Sequence, residues 1–178
     1  MTRKLLLVLA SVALAAPLAA QTTAPSGGGA VAGLGAVYGA GKRFLTQAAE
    51  QMPEEHYAFK ATPEVRSFGQ IVGHVANANY MICSMATGET NPKDGTNFEE
   101  TTAKADLVKA LSEAFAYCDK AYQMADAKGM EAMKLFGMDT NRLGVLALNA
   151  GHNYEHYGNI VTYMRLKGMT PPSSQRGM

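Results

Sequence analysis

The sequence predicts an all-α protein, a four-helix bundle, on three observations. Apolar residues recur at helical spacing in four long segments, each apolar face ends at a proline or glycine stop, and no stretch sustains the alternation of a strand. Antiparallel or mixed helices with such faces bury them against one another around a single core.

A leader precedes the bundle. Arg3 and Lys4 stand before the apolar run LLLVLASVALAAPLAA, and QTTAPSGGG then turns polar. This is the pattern of a secretory signal peptide cleaved after Ala20. Residues 1–20 are therefore assigned to the signal, 21–33 to a flexible leader of small residues, 34–172 to the bundle and 173–178 to a tail. The apolar run is short for a permanent span, so the mature chain is expected to be exported, in the periplasm or the medium, and free of the membrane.

In the first helix Leu34, Tyr38, Leu45, Ala48 and Met52 share a face that ends at Pro53, and Gly33, Gly35, Gly39 and Gly41 weaken its first half. The second helix opens on Ser67 with Gln70 three residues on, the arrangement of a capping box. Ile71, Val75, Ala78, Ile82 and Met85 form its apolar face, and Gly88 ends it. ETNPKDGTNFEE follows as a long loop. The third helix starts near Thr102, carries Leu107, Leu111, Phe115, Cys118 and Tyr122, and fades at Gly129, after which MEAMKLFGMDTN has room for a short extra turn. The fourth runs from about Arg142 to Lys167, stopped by Gly168 with Pro171 and Pro172 behind it.

The two cysteines bear on topology. Cys83 lies 16 residues after Ser67, and Cys118 lies 16 residues after Thr102. Parallel second and third helices bring the thiols level. Antiparallel ones leave them about 6 and 24 Å from the shared end, at 1.5 Å per residue. An oxidising compartment favours a Cys83–Cys118 disulfide and hence the parallel arrangement. The alternative is two buried free cysteines packed as small hydrophobes.

The full chain carries a net charge of +1, and loss of Arg3 and Lys4 leaves 14 basic residues against 15 acidic, a net of about −1. With no basic patch along the chain, nucleic acid is not an expected partner. The eleven methionines are scattered, which suits core filling better than a copper-binding box.

HNYEHYGN, residues 152–159, holds the pair His152 and His156. At 100° per residue Val145, His152, His156 and Tyr163 fall in one narrow sector, with Leu148, Asn149, Asn159 and Ile160 beside them, so both imidazoles point along the inward stripe. Asn149 and Asn159 are the candidates to hydrogen-bond their outer ring nitrogens. Read as H-x-x-E-H, the segment also matches the inverted zinc peptidases. That reading needs an acidic ligand downstream, and no aspartate or glutamate follows Glu155. The third ligand must come from upstream, where His74 sits seven residues into the second helix. Three neutral imidazoles make a site with open positions for a divalent metal, zinc first and nickel or iron as alternatives. His56, in the charged connection PEEHYAFK, reads as a rim residue. The plainer reading leaves all three histidines as polar core residues.

MPEEHYAFKATPEVRSFGQIVGHVANANY, followed after about seventy residues by HNYEHYGNIVTYMRLKGMTPP, resembles the DinB superfamily of metal-binding four-helix proteins. The resemblance covers residues 34–172. Its motifs fall on His74, on His152 and His156, on VTYMR and on GMTPP, with Gly158-Asn159 where many members carry Gly-Gln. It implies an up-down-down-up bundle, a divalent metal on the three histidines and frequent homodimer formation. The family includes thiol-dependent S-transferases and a maleylpyruvate isomerase. Export argues against a cytoplasmic thiol cofactor here. The expectation is a metal-dependent hydrolase or transferase acting on a small-molecule substrate, with an exported, non-catalytic metal-binding or stress protein as the alternative.

Overall fold

A computed structural model describes residues 28–175. The predicted signal peptide, residues 21–27 of the leader and residues 176–178 lie outside the described residues. Four long helices dominate: α1 (Ala30–Gln51), α2 (Phe68–Thr87), α3 (Lys104–Asp119) and α4 (Arg142–Leu166). Between α3 and α4 the chain makes a single helical turn over Asp126–Gly129 and then an antiparallel hairpin, β1 (Ala132–Leu135) and β2 (Met138–Asn141).

Pairwise contacts fix the helix directions. Gly69 backs onto Leu107 near the start of α2 and α3, and Cys83 is disulfide-bonded to Cys118 near their ends, with Cα atoms 5.4 Å apart. These two helices therefore run parallel. Against α4, α2 runs antiparallel, because His74 meets His152, Asn79 meets Asn149, and Ala86 accepts from Arg142. Tyr38 of α1 reaches Phe115 and Asp119 while Lys104 reaches Glu50 and Met52, so α1 opposes α3. The order is up-down-down-up, as the level cysteines and the resemblance anticipated.

Helix termini follow the sequence where their signals are local. Ser67 and Gln70 form the reciprocal capping box, with hydrogen bonds of 3.1 and 2.9 Å, an arrangement contributing about 1 kcal/mol. Gly88, at φ +79°, closes the same helix. The start of α1 differs from expectation. It begins at Ala30, inside the stretch assigned to the flexible leader, because both carboxylate oxygens of Asp126 accept from the backbone N–H groups of Ala30 and Val31 at 2.9 and 3.0 Å. This cap lies 96 residues from Ala30 in sequence and offsets the weak glycine-rich opening. At the other end, packing continues past Pro172: Tyr157 and Ser173 share hydrogen bonds of 2.8 Å, and Gln175 bonds Gln51.

The hairpin is a correction, since MEAMKLFGMDTN read as no more than an extra turn. Phe136 and Gly137 form its two-residue loop with φ of 50° and 83°. Positive φ at both positions is the signature of the turn that matches strand twist.

Beside the apolar core lies a polar one. Asn79, Asn149 and Asn153 are fully buried. Asn79 donates to Asn153 and to the Val75 carbonyl, Asn149 donates to Asn79, and Tyr122 donates to both Asn149 and the Leu146 carbonyl. Each polar group thereby avoids the cost of unpaired burial. The same desolvation holds the Tyr122 hydroxyl well above its ordinary pKa, so it acts here as a neutral donor.

Candidate metal centre

His74, His152 and His156 come together as the sequence predicts. His74 sits midway down α2, and the other two stand one turn apart on the face of α4 turned toward it. Nε2 of His152 lies 3.2 Å from Nε2 of His74 and 3.1 Å from Nε2 of His156. His156 is buried, whereas His74 and His152 are half-buried at the mouth. His56 is in the short turn Glu54–His56 and does not join them.

The outer nitrogens decide what the inner ones can do. Nδ1 of His74 is 2.8 Å from Oε1 of Glu99, whose Oε2 accepts from Nε of Arg66 at 2.8 Å. Burial opposes ionisation of Glu99, but the hydrogen bonds from Arg66 and His74 outweigh it and hold the carboxyl below its ordinary range. An ionised carboxylate only accepts, so Nδ1 of His74 carries a proton, and in the neutral tautomer this sets, Nε2 presents the lone pair. Nδ1 of His156 is 3.3 Å from the side-chain amide of Asn159. Nδ2–H of Asn159 donates to that Nδ1, so the proton of a neutral His156 stands on Nε2; a half-turn of the Asn159 amide, which brings its oxygen to the ring, moves that proton to Nδ1 and bares Nε2 for a cation. Nδ1 of His152 is buried without a hydrogen-bond partner, and packing alone sets the angle of this ring.

Burial, followed by the charges of His152, His74 and Arg66, pushes the pKa of His156 down to about 4. Burial and His74 also lower that of His152. Both rings are thus neutral at pH 7, which is the ligating form. One proton among the three Nε2 atoms satisfies a single contact and leaves the other with lone pairs turned toward each other. A cation satisfies all three. The residues present fit a divalent metal, and the three nitrogens offer one face of its coordination sphere.

Glu99 and Arg66 were missed by sequence reasoning, and Asn149 was misassigned. Asn149 belongs to the buried amide network described above, not to the histidines. Glu99 lies 25 residues from His74, in a loop whose sequence carries no metal-site signature. The signal for it was steric. A Cβ at Gly73, one residue before His74, would stand 2.4 Å from the Phe98 carbonyl oxygen, so the bare glycine lets this loop close on α2. Glu155, the acid of the rejected peptidase reading, is exposed on the far side of α4 from the core. Tyr163, from the VTYMR motif, donates to the Arg66 carbonyl at 2.5 Å and ties the entry of α2 to α4.

An open cleft of about 500 Å³ leads to His156, walled by Glu64, Arg66, Glu99, Asn159 and Tyr163. The fold and the site together define a helical-bundle protein with three histidines grouped as a metal ion would require. A family model described as the DinB superfamily matches residues 41–160, a span that includes all three histidines, and the chain belongs to that superfamily. Among solved structures it is similar to a DinB-like protein from Bacillus cereus, with a TM-score of 0.67 and 15% identity over 79% of this chain and 94% of that one. It is also similar to the DinB-like protein YjoA from Bacillus subtilis, with a TM-score of 0.63 and 19% identity over 82% and 99%. At these identities the likeness shows the fold. No curated protein matches the chain.

Proposed function

We propose that the protein is an exported metal-dependent enzyme, a hydrolase or transferase of a small molecule, with His74, His152 and His156 holding one divalent cation. The observation that carries this reading is the approach of Nε2 of His152 to 3.2 and 3.1 Å from Nε2 of His74 and His156, with Nδ1–H of His74 held by Glu99. Zinc suits three imidazoles with an open face best, with nickel and iron next. Bound there, the metal supplies Lewis acidity to a water or thiol nucleophile and to its electrophile. The chain's own part is to keep the imidazoles of His152 and His156 neutral, to hold Nδ1–H of His74 against Glu99, and to set the positive charge of Arg66 at the cleft mouth. Export is supported by the charged and apolar start of the chain and by the Cys83–Cys118 disulfide, a bond that persists in oxidising compartments.

One observation favours a non-catalytic metal-binding role instead. Both oxygens of Glu99 are engaged, by His74 and Arg66, so the carboxylate nearest the centre is not free as a general base.

Metal analysis of the chain from Gln21, purified without a histidine tag, tests the site. About one equivalent in the parent, lost in His74→Ala, supports it, and no uptake after incubation with zinc and nickel overturns it. A substrate screen on the loaded protein then separates the two roles. An enzyme loses turnover in His156→Ala while remaining folded, and a binder has none to lose.

A further inference from the structure

The histidine trio opens on a second side, and the chemistry there is different. A cleft of about 340 Å³ is lined by His74 and His152 together with Ala78, Met81 and Ile82 from α2, Leu148 from α4 and Phe136 from the hairpin tip. No carboxylate, lysine or arginine lines it. Asn77, the remaining polar residue at its edge, is occupied at both ends of its amide, donating to Asn97 and accepting from the Phe98 backbone N–H. The opposite cleft, by contrast, carries Glu64, Arg66 and Glu99.

We propose that this cleft binds the uncharged apolar part, an alkyl chain or aryl ring, of the small molecule on which the centre acts, with Phe136 as a specificity-determining residue. The inference rests on the reading of the trio as a substrate-facing site. Its lining decides this: a group seated here lies against two of the three histidine rings, so the reactive end of the molecule faces them.

Phe136 supplies an independent observation. It is 73% exposed, although it is a large aromatic residue, and it holds φ at +50° in a turn position normally given to asparagine or glycine. A residue that breaks two local preferences without local compensation points to a gain elsewhere. The cleft is where that ring is used. Met81 and Leu148 are also solvated, at 44% and 37% exposure, so an apolar guest removes three large side chains from water at once. The volume falls at the small end of ligand pockets. A second copy of the chain is a poor occupant, because five apolar wall residues fall far short of the roughly 20–30 per side that a stable dimer buries.

The test uses hexan-1-ol and benzyl alcohol as neutral probes, titrated into the chain from Gln21 with carbon-13-labelled methyl groups, first metal-free and then zinc-loaded. Saturable shifts at the Met81, Ile82 and Leu148 methyls, with Val65 and Ile71 of the opposite cleft unmoved, are expected in both forms. Phe136→Ala should weaken binding about tenfold. Its exposure makes misfolding no obstacle, and Leu148→Lys, which places a charge in the wall, should abolish binding independently. Absence of saturation, shifts centred on Val65 and Ile71, or equal affinity in Phe136→Ala overturns the proposal. So do shifts at these methyls on dilution of the protein alone, which assign the cleft to a second copy. Because binding is read without metal, a protein that takes up zinc but not the probes loses the cleft and keeps the metal centre. One that binds the probes but no zinc loses the catalytic reading and, with it, the assignment of the guest as substrate.

Discussion

Glu99 places Oε1 2.8 Å from Nδ1 of His74, and it gets there because the residue before His74 has no side chain. The carboxylate belongs to a loop, whereas the imidazole belongs to a helix secured by a capping box. One local packing contact, Phe98 against Gly73, thus decides whether a loop residue can orient a helix ligand. Arg66 completes the line by holding the second carboxylate oxygen, so the charge on Glu99 is fixed before any metal arrives.

Removing that carboxylate should weaken metal binding without abolishing it. Glu99→Gln keeps an oxygen for Nδ1–H and loses the charge, with an expected zinc affinity about tenfold lower. Glu99→Ala frees the tautomer and should cost roughly 10–100-fold. Competition against a chelator of known affinity measures both. Parent-like affinity in Glu99→Ala would show that the contact does not tune the centre.

Gly73→Ala should reproduce part of that loss from outside the site. The new methyl would sit 2.4 Å from the Phe98 carbonyl oxygen and 2.9 Å from the Glu99 nitrogen, and both are backbone atoms that cannot rotate away. Overpacking of this kind costs about 1–3 kcal/mol of stability. Because the substitution acts on metal binding through Glu99, it should add little to the affinity loss in a Gly73→Ala/Glu99→Ala double variant. Fully additive losses would mean that Gly73 works by another route.

How much of this was legible follows from range. The four helices, the Ser67 cap and the inward placement of His152 and His156 depend on neighbours within a turn or two, and the sequence carries such signals directly. The Cys83–Cys118 bond was reachable because helical rise turns residue counts into heights. The Asp126 cap on α1 and the Glu99–His74 contact depend on side chains 96 and 25 residues away, brought in by packing that no local pattern encodes. The hairpin was obscured for another reason. Its turn uses Phe136 where asparagine or aspartate would have announced it, so Gly137 was the one conventional signal present. Asn149 projected correctly beside the histidines, but a projection gives direction only, and Tyr122 and Asn79 claim its amide.

The disulfide should matter to stability more than to chemistry. It joins positions 35 residues apart and encloses the loop that carries Glu99. Loop-closure entropy for that length corresponds to about 3–4 kcal/mol. Urea unfolding of the metal-free chain with and without reductant should show a loss of that order, matched by a Cys83→Ala/Cys118→Ala variant. A midpoint indifferent to reductant would place the stability in the helix packing alone.

Acid should destabilise the metal-free protein through its buried histidines. The folded pKa of His156 is about 4 and that of His152 is also lowered, against an ordinary value of 6.5. Between those limits the unfolded chain binds more protons than the folded one, so stability falls as pH drops from about 6.5 and the loss from His156 is complete near 4. Its size for His156 alone is on the order of 3 kcal/mol. Glu99 adds to the acid limb with the same sign, because a carboxylate stabilised in the fold must be protonated on the way down. The two contributions separate by substitution: His156→Gln should flatten the curve between pH 6.5 and 4, while Glu99→Gln should flatten it only below the ordinary carboxylate range. Protons and metal compete for the same nitrogens, so His156, already neutral at pH 6, should add little to any loss of zinc affinity there, where a free imidazole is mostly protonated. Titration of the His156 ring near 6.5, followed by NMR on the metal-free protein, would mean that this imidazole titrates as if exposed, and the electrostatic account of the centre would fail with it.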